Sequence, residues 1–245
     1  MKSARVQNEV SLPVRYLDGS AAYFYFAISE KKAAKLLEGH YQPAPVAFGR
    51  TLLALCFFEY RDTSIGPYNE VGLGITVRGD TGAGWLPRDF LRQPEQRTTG
   101  FHVLHLPVTS EVANQAGRDT WGLPKFVTSI PFQLKGRHFE GGVNDPNAPH
   151  QPIFTVTSEF GRGLPSKGVD LVLFNDPNEA NEKSIVNCQA RFLTARCAQF
   201  DLTLGRGNHP LLRTLDFLGL DGEAPLLVQY TTHFVAQLHG PTRTK

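Results

Sequence analysis

The sequence predicts a mainly antiparallel β protein with a few short accessory helices, and three observations carry that expectation. Short runs rich in Val, Ile, Phe, Tyr and Thr recur along the chain, most of them bounded by Gly, Pro, Asn or Asp. Helical periodicity is confined to brief segments. The 245 residues are 41% hydrophobic and 20% charged, so a sizeable core can be buried without a disulfide framework. Residues 1–245 are read as one domain, because β-rich barrels and sandwiches often reach this length as single units.

The first strand is expected at Ala21–Ile28. Ser29 can then cap a helix over Glu30–Glu38, in which Ala33, Ala34 and Leu37 share a stripe and which Gly39 can end. Thr51–Arg61 and Val71–Val77 are the next strands. Gly72 and Gly74 lie inside a strand pattern with no helix following, so they are read as permitting a bend rather than as a nucleotide loop. Arg78-Gly79-Asp80 is assigned to a turn. Phe101–Val108 is a strand on which His102 and His105, three apart, point to opposite faces and cannot grip one metal ion. Ser110 can cap a helix over Glu111–Ala116 that ends at Gly117. Phe126–Leu134 is expected as a strand and the Gly-, Pro- and Asn-rich 140–152 stretch as a surface loop. Strands follow at Ile153–Ser158 and Val169–Phe174. A helix over Pro210–Leu218 places Leu211, Leu215 and Leu218 on one face, and Gln229–Ala236 is the last strand.

Several function classes are disfavoured. A formal charge of +2 with no block of like charges does not indicate a nucleic-acid surface. Cys56, Cys188 and Cys197 lack metal-ligand or disulfide spacing and are read as reduced, packed thiols, and no metal site or cofactor is expected. No stretch reaches the roughly 18 apolar residues of a membrane span, and no leader pattern stands out, so the expected location is the cytoplasm. G-x-S-x-G, H-E-x-x-H and Walker A motifs are absent.

Two segments carry chemistry. In 116–126, AGRDTWGLPKF, Lys125 is surrounded by Trp121, Leu123, Pro124, Phe126 and Val127, none of which solvates an ammonium ion. Such surroundings favour the neutral, nucleophilic amine by desolvation, whereas a lysine whose amine reaches solvent stays charged. In 62–70, DTSIGPYNE, Glu70 closes a Gly-Pro turn; it is either a proton carrier facing a pocket or a turn residue satisfied by backbone N–H groups.

Taken together, D-T-S-I-G-P-Y-N-E at 62–70 and G-R-D-T-W-G-L-P-K at 117–125 resemble the paired signature segments of the acetoacetate decarboxylase-like family, in matching order and separation. The similarity extends diffusely from about Tyr23 to about Leu238. It implies an antiparallel β-cone or barrel, a homo-oligomer and an internal apolar pocket, with Lys125 at the Schiff-base position and Glu70 at that of the pocket glutamate. Tyr68, Trp121, Phe126 and Cys56 are the expected substrate contacts. An ordinary lysine is neutral in only about one molecule in a few thousand at pH 7. Burial, or a neighbouring cation as in acetoacetate decarboxylase itself, raises that fraction.

Three departures from the family pattern bear on the substrate. Phe126 replaces a second lysine, Ala21 stands near the position of a carboxylate-binding arginine, and Cys56 falls on a second pocket glutamate. Arg15 is the nearest basic residue to the lost arginine, and Arg118 is read as bracing its loop through backbone carbonyls. The expected activity is decarboxylation of a small 3-oxo acid through a lysine imine. The alternatives are an imine-dependent aldolase or dehydratase that releases no carbon dioxide, and a non-catalytic barrel that binds a small metabolite.

Overall fold

A computed structural model describes residues 10–47, 49–79, 86–175 and 182–243. The chain begins with β1 (Val14–Ser29), α1 (Glu30–Leu36), β2 (Gln42–Pro43), β3 (Pro45–Ala47), β4 (Arg50–Thr63) and β5 (Tyr68–Arg78). Next come α2 (Leu86–Asp89), β6 (Thr99–Val108), α3 (Glu111–Trp121), β7 (Lys125–Val127), β8 (Phe132–Lys135), β9 (His138–Asp145) and β10 (Ala148–Phe160). β11 (Leu164–Lys167), β12 (Leu171–Leu173), β13 (Glu182–Cys188), β14 (Arg191–Ala195) and β15 (Cys197–Leu204) follow. The last elements are α4 (Pro210–Leu218), β16 (Leu227–Thr231), β17 (Ala236–Leu238) and β18 (Thr242–Arg243). No helix among the described residues is long and apolar enough to cross a membrane.

Pairing is antiparallel except for β6 with β7 and β6 with β12. In the larger sheet β1 pairs with β17, then β13, β12, β6, β5 and β4 follow in turn, and β4 pairs back onto β1. The ring of hydrogen bonds therefore closes, which leaves these strands few open edges. The smaller sheet runs β15-β10-β9-β8. Both faces of the ring are covered, which explains its nearly continuous apolar strands. On β1, Phe24, Phe26 and Ile28 pack outward with Phe57, Phe139, Phe154 and α4, whereas Tyr16 and Tyr23 join Phe58, Tyr60 and Leu106 in a second core inside the ring.

The mainly antiparallel β class and the short helices agree with the sequence expectation, but several boundaries differ. The 140–152 stretch is a hairpin, not a loop. Asn147 donates its N–H to Asp145 Oδ1 in the turn, and a side chain at Gly142 would strike the Phe154 carbonyl oxygen at 2.7 Å, so the glycine serves close strand approach. The expected strand 126–134 breaks after Val127. β7 lies beside β6 while β8 joins the smaller sheet, and Pro131 between them lacks a ladder N–H. The expected strand 229–236 breaks at Thr231. Its halves, β16 and β17, pair with successive stretches of β1, and the bridging segment carries Phe234 to the inner core. α3 continues past Gly117 to Trp121, and α1 ends at Leu36 without a side-chain cap from Ser29. Asp80 of the expected turn lies outside the described residues.

His102 and His105 separate as strand alternation requires: His102 Nδ1 contacts the Phe174 carbonyl oxygen at 2.8 Å, and His105 Nε2 lies 2.9 Å from Thr214 Oγ1 on α4. Burial, aided by His209, lowers the His105 pKa to about 4. The unfolded imidazole therefore takes a proton first, so this contribution to stability is present above pH 6.5 and is lost as pH falls to about 4. Urea titrations across that window should show a stability loss of roughly up to 3 kcal/mol that His105→Gln reduces.

Candidate active site

Alternation along β5 turns Val71, Leu73, Ile75 and Val77 to the outer core and Tyr68 and Glu70 inward, with Gly72 and Gly74 on the same inner face. The two glycines place no side chain where the strand passes the interior. Lys125 arrives from the other direction. Ser110 Oγ accepts the Ala113 N–H at the start of α3, and Gly122, at φ 62°, ends the helix in a left-handed turn that a β-carbon disfavours. The chain reverses there, Leu106 N–H bonds the Pro124 carbonyl, and Lys125 enters β7 opposite Leu106. Arg118 Nη1 donates to the Lys125 carbonyl oxygen at 3.2 Å, which is the bracing contact expected of it.

The two chemistry-bearing side chains meet inside the ring. Lys125 Nζ donates to Glu70 Oε2 at 2.5 Å, with the lysine 6% and the glutamate 7% exposed. Tyr60 donates its hydroxyl to the other carboxylate oxygen, Oε1, at 3.4 Å, and the Tyr68 ring lies 5.7 Å from Nζ. Carboxylate and amine are thus held within reach of a direct proton transfer.

They border a cavity of about 100 Å³ whose wall includes Tyr16, Tyr23, Tyr25, Phe58, Phe101 and Phe234. Burial pushes the phenols of Tyr16, Tyr23, Tyr25 and Tyr60 above their ordinary range, and burial followed by the Glu70 charge pushes the Cys56 thiol up. These groups stay protonated near neutrality. Apart from Lys125 and Glu70 the wall is therefore uncharged.

Of the residues expected around the site, Cys56 lines the cavity and Tyr68 lies beside the amine. Tyr68, Trp121 and Phe126 are outside the cavity lining. Trp121 Nε1 donates to the His239 carbonyl oxygen at 2.9 Å, and the Phe126 ring packs 5.0 Å from that of His209, turned away from Lys125 as the next residue of a strand must be. Arg15 is exposed between buried Val14 and Tyr16 and does not reach the interior. Tyr16 and Phe234 carry no local signal that would mark them as cavity residues. The period-two spacing of Tyr23 and Tyr25 on a strand is a signal that was legible. Among the described residues no group of three His, Cys, Asp or Glu side chains is placed to hold a metal ion.

A family model described as acetoacetate decarboxylase (ADC) matches residues 3–208. The chain belongs to the acetoacetate decarboxylase family. Solved structures agree at the level of fold. Acetoacetate decarboxylase from Legionella pneumophila aligns with TM-score 0.63 at 12% identity, over 95% of this chain and 87% of that one. An acetoacetate decarboxylase-like enzyme from Sphingomonas wittichii RW1 aligns with TM-score 0.61 at 15% identity, over 96% and 94%. The enduracididine biosynthesis enzyme MppR, complexed with the condensation product of pyruvate and imidazole 4-carboxaldehyde, aligns with TM-score 0.56 at 12% identity, over 94% and 88%. No curated protein matches the sequence.

In this member of the acetoacetate decarboxylase family, Gly117 leaves room for the Lys125 side chain to pass α3. A β-carbon there would fall 2.5 Å from Lys125 Cδ and closer still to Cε. Gly117→Ala improves helix propensity by about 1 kcal/mol, yet the Lys125 side chain must shift to accept the added methyl group. The variant should melt no lower than about 3 °C below the parent while losing about tenfold to hundredfold in turnover. Equal turnover in both proteins would show that the amine tolerates the shift.

Proposed function

We propose that this protein is a cofactor-independent, imine-forming lyase that acts on small carbonyl compounds, with Lys125 as nucleophile and Glu70 as proton carrier. The observation that carries the reading is the 2.5 Å contact between Lys125 Nζ and Glu70 Oε2 inside an otherwise uncharged cavity. Glu70 takes a proton from Nζ, and the free amine adds to a ketone carbon. The same carboxylic acid returns the proton to the departing hydroxyl, so water leaves and a protonated imine remains. That imine withdraws the electron pair of a bond one carbon away, releasing either carbon dioxide from a 3-oxo acid or an aldehyde or ketone from a 3-hydroxy ketone. Protonation of the resulting enamine and hydrolysis regenerate Lys125.

Family membership supports lyase chemistry, and the complex of MppR with a condensation product of pyruvate and imidazole 4-carboxaldehyde supports breadth of reaction on this fold. The test is reductive trapping. Cyanoborohydride and a small ketone should add the ketone's reduced mass to the peptide containing Lys125. Acetoacetate and 4-hydroxy-4-methylpentan-2-one, assayed for carbon dioxide and for acetone respectively, report which bond is cleaved. Failure of every ketone to label Lys125 would favour a non-catalytic binding barrel.

A further inference from the structure

We infer that the cavity selects an uncharged carbonyl compound, a 3-hydroxy ketone rather than an oxo acid, as its cleavable substrate; the inference rests on the imine reading of Lys125. The argument is one of charge. Lys125 and Glu70 contribute zero net charge to the site wherever the shared proton sits, and no arginine, histidine or second lysine is among the described residues that line it. The basic groups nearby are committed elsewhere: Arg118 binds the Lys125 carbonyl and Arg15 faces outward.

A carboxylate entering this space would need several hydrogen-bond donors to replace its water. The phenols supply few: Tyr60 donates to Glu70, Tyr25 donates to Gln229 Oε1 at 3.0 Å, and the Tyr16 and Tyr68 hydroxyls share one contact at 3.4 Å, which leaves one of their two protons uncommitted. Tyr23 is the one lining phenol whose hydroxyl binds no described residue, which suits a single hydroxyl or carbonyl oxygen.

The reaction balances without any further reagent. Imine formation at Lys125 releases one water. The substrate hydroxyl gives its proton to Glu70, the carbon–carbon bond electrons move to the iminium nitrogen, and an aldehyde or ketone departs. Glu70 returns the proton to the enamine carbon, and one water hydrolyses the imine, so one ketol yields two carbonyl compounds.

The test compares two ketones that differ in charge and little in shape: 4-oxopentanoate and 5-methylhexan-2-one, in which an isopropyl group replaces the carboxylate. Neither carries the leaving group, so both report binding and imine formation alone. Each is titrated against the full chain with cyanoborohydride, and labelling of Lys125 is read by mass. Half-maximal labelling is expected at a concentration at least tenfold lower for the uncharged ketone. Equal labelling, or preference for the acid, overturns this inference while leaving the imine reading intact. Labelling by neither overturns both.

Discussion

Lys125→Ala is expected to abolish ketone trapping and to lower turnover by about 10³-fold or more, since no other lysine lines the described cavity. The substitution also leaves Glu70 buried with only the Tyr60 hydroxyl, and breaking a buried pair by removing one partner costs about 3–5 kcal/mol. Lost activity could then reflect a lost fold, so Lys125→Arg is the companion variant. Its guanidinium keeps a cation against Glu70 but does not form an imine at neutral pH. A folded Lys125→Arg protein with neither trapping nor turnover isolates the nucleophile. Turnover within tenfold of the parent in a folded Lys125→Arg protein would remove Lys125 from the chemistry.

Glu70→Gln should separate imine formation from the proton transfers around it. The amide preserves shape and can still contact Nζ, yet it cannot carry a proton between nitrogen, departing hydroxyl and enamine carbon. Trapping at Lys125 should persist at a slower rate, with turnover lower by about 10²–10⁴-fold. A variant with parental turnover would assign Glu70 a purely structural role.

The candidate site was legible in part because Lys125 and Glu70 sit in short, distinctive segments. Asp62–Glu70 and Gly117–Lys125 match the family's paired segments in order and spacing, whereas the apolar neighbours of Lys125 by themselves left both a dry amine and a solvent-facing ammonium open. Trp121 and Phe126 show the limit of that reasoning. Both lie within four positions of the lysine in sequence, but a helix end and strand alternation aim them at His239 and His209. Adjacency along a chain is not adjacency in space. The 140–152 stretch shows a similar limit, because glycines that suggest a loop can also let two strands approach closely.

By itself, the sequence determined the β-rich class, most long strands, the Pro210–Leu218 helix and the pairing of one lysine with one glutamate as the residues to watch. The class, strands and helix follow from local chemistry: side-chain shape, period-two or period-3.6 patterning, and the turn preferences of Gly and Pro; the lysine–glutamate pair follows from the resemblance of its two segments to the acetoacetate decarboxylase-like family. Only the tertiary structure decided that Lys125 and Glu70, 55 positions apart, touch, and that the tyrosines of β1 and β4 rather than Trp121 enclose them. Alternation assigns residues to opposite faces of a strand but does not say which face turns inward. That choice is made when β4 pairs back onto β1, a long-range closure that no local pattern encodes.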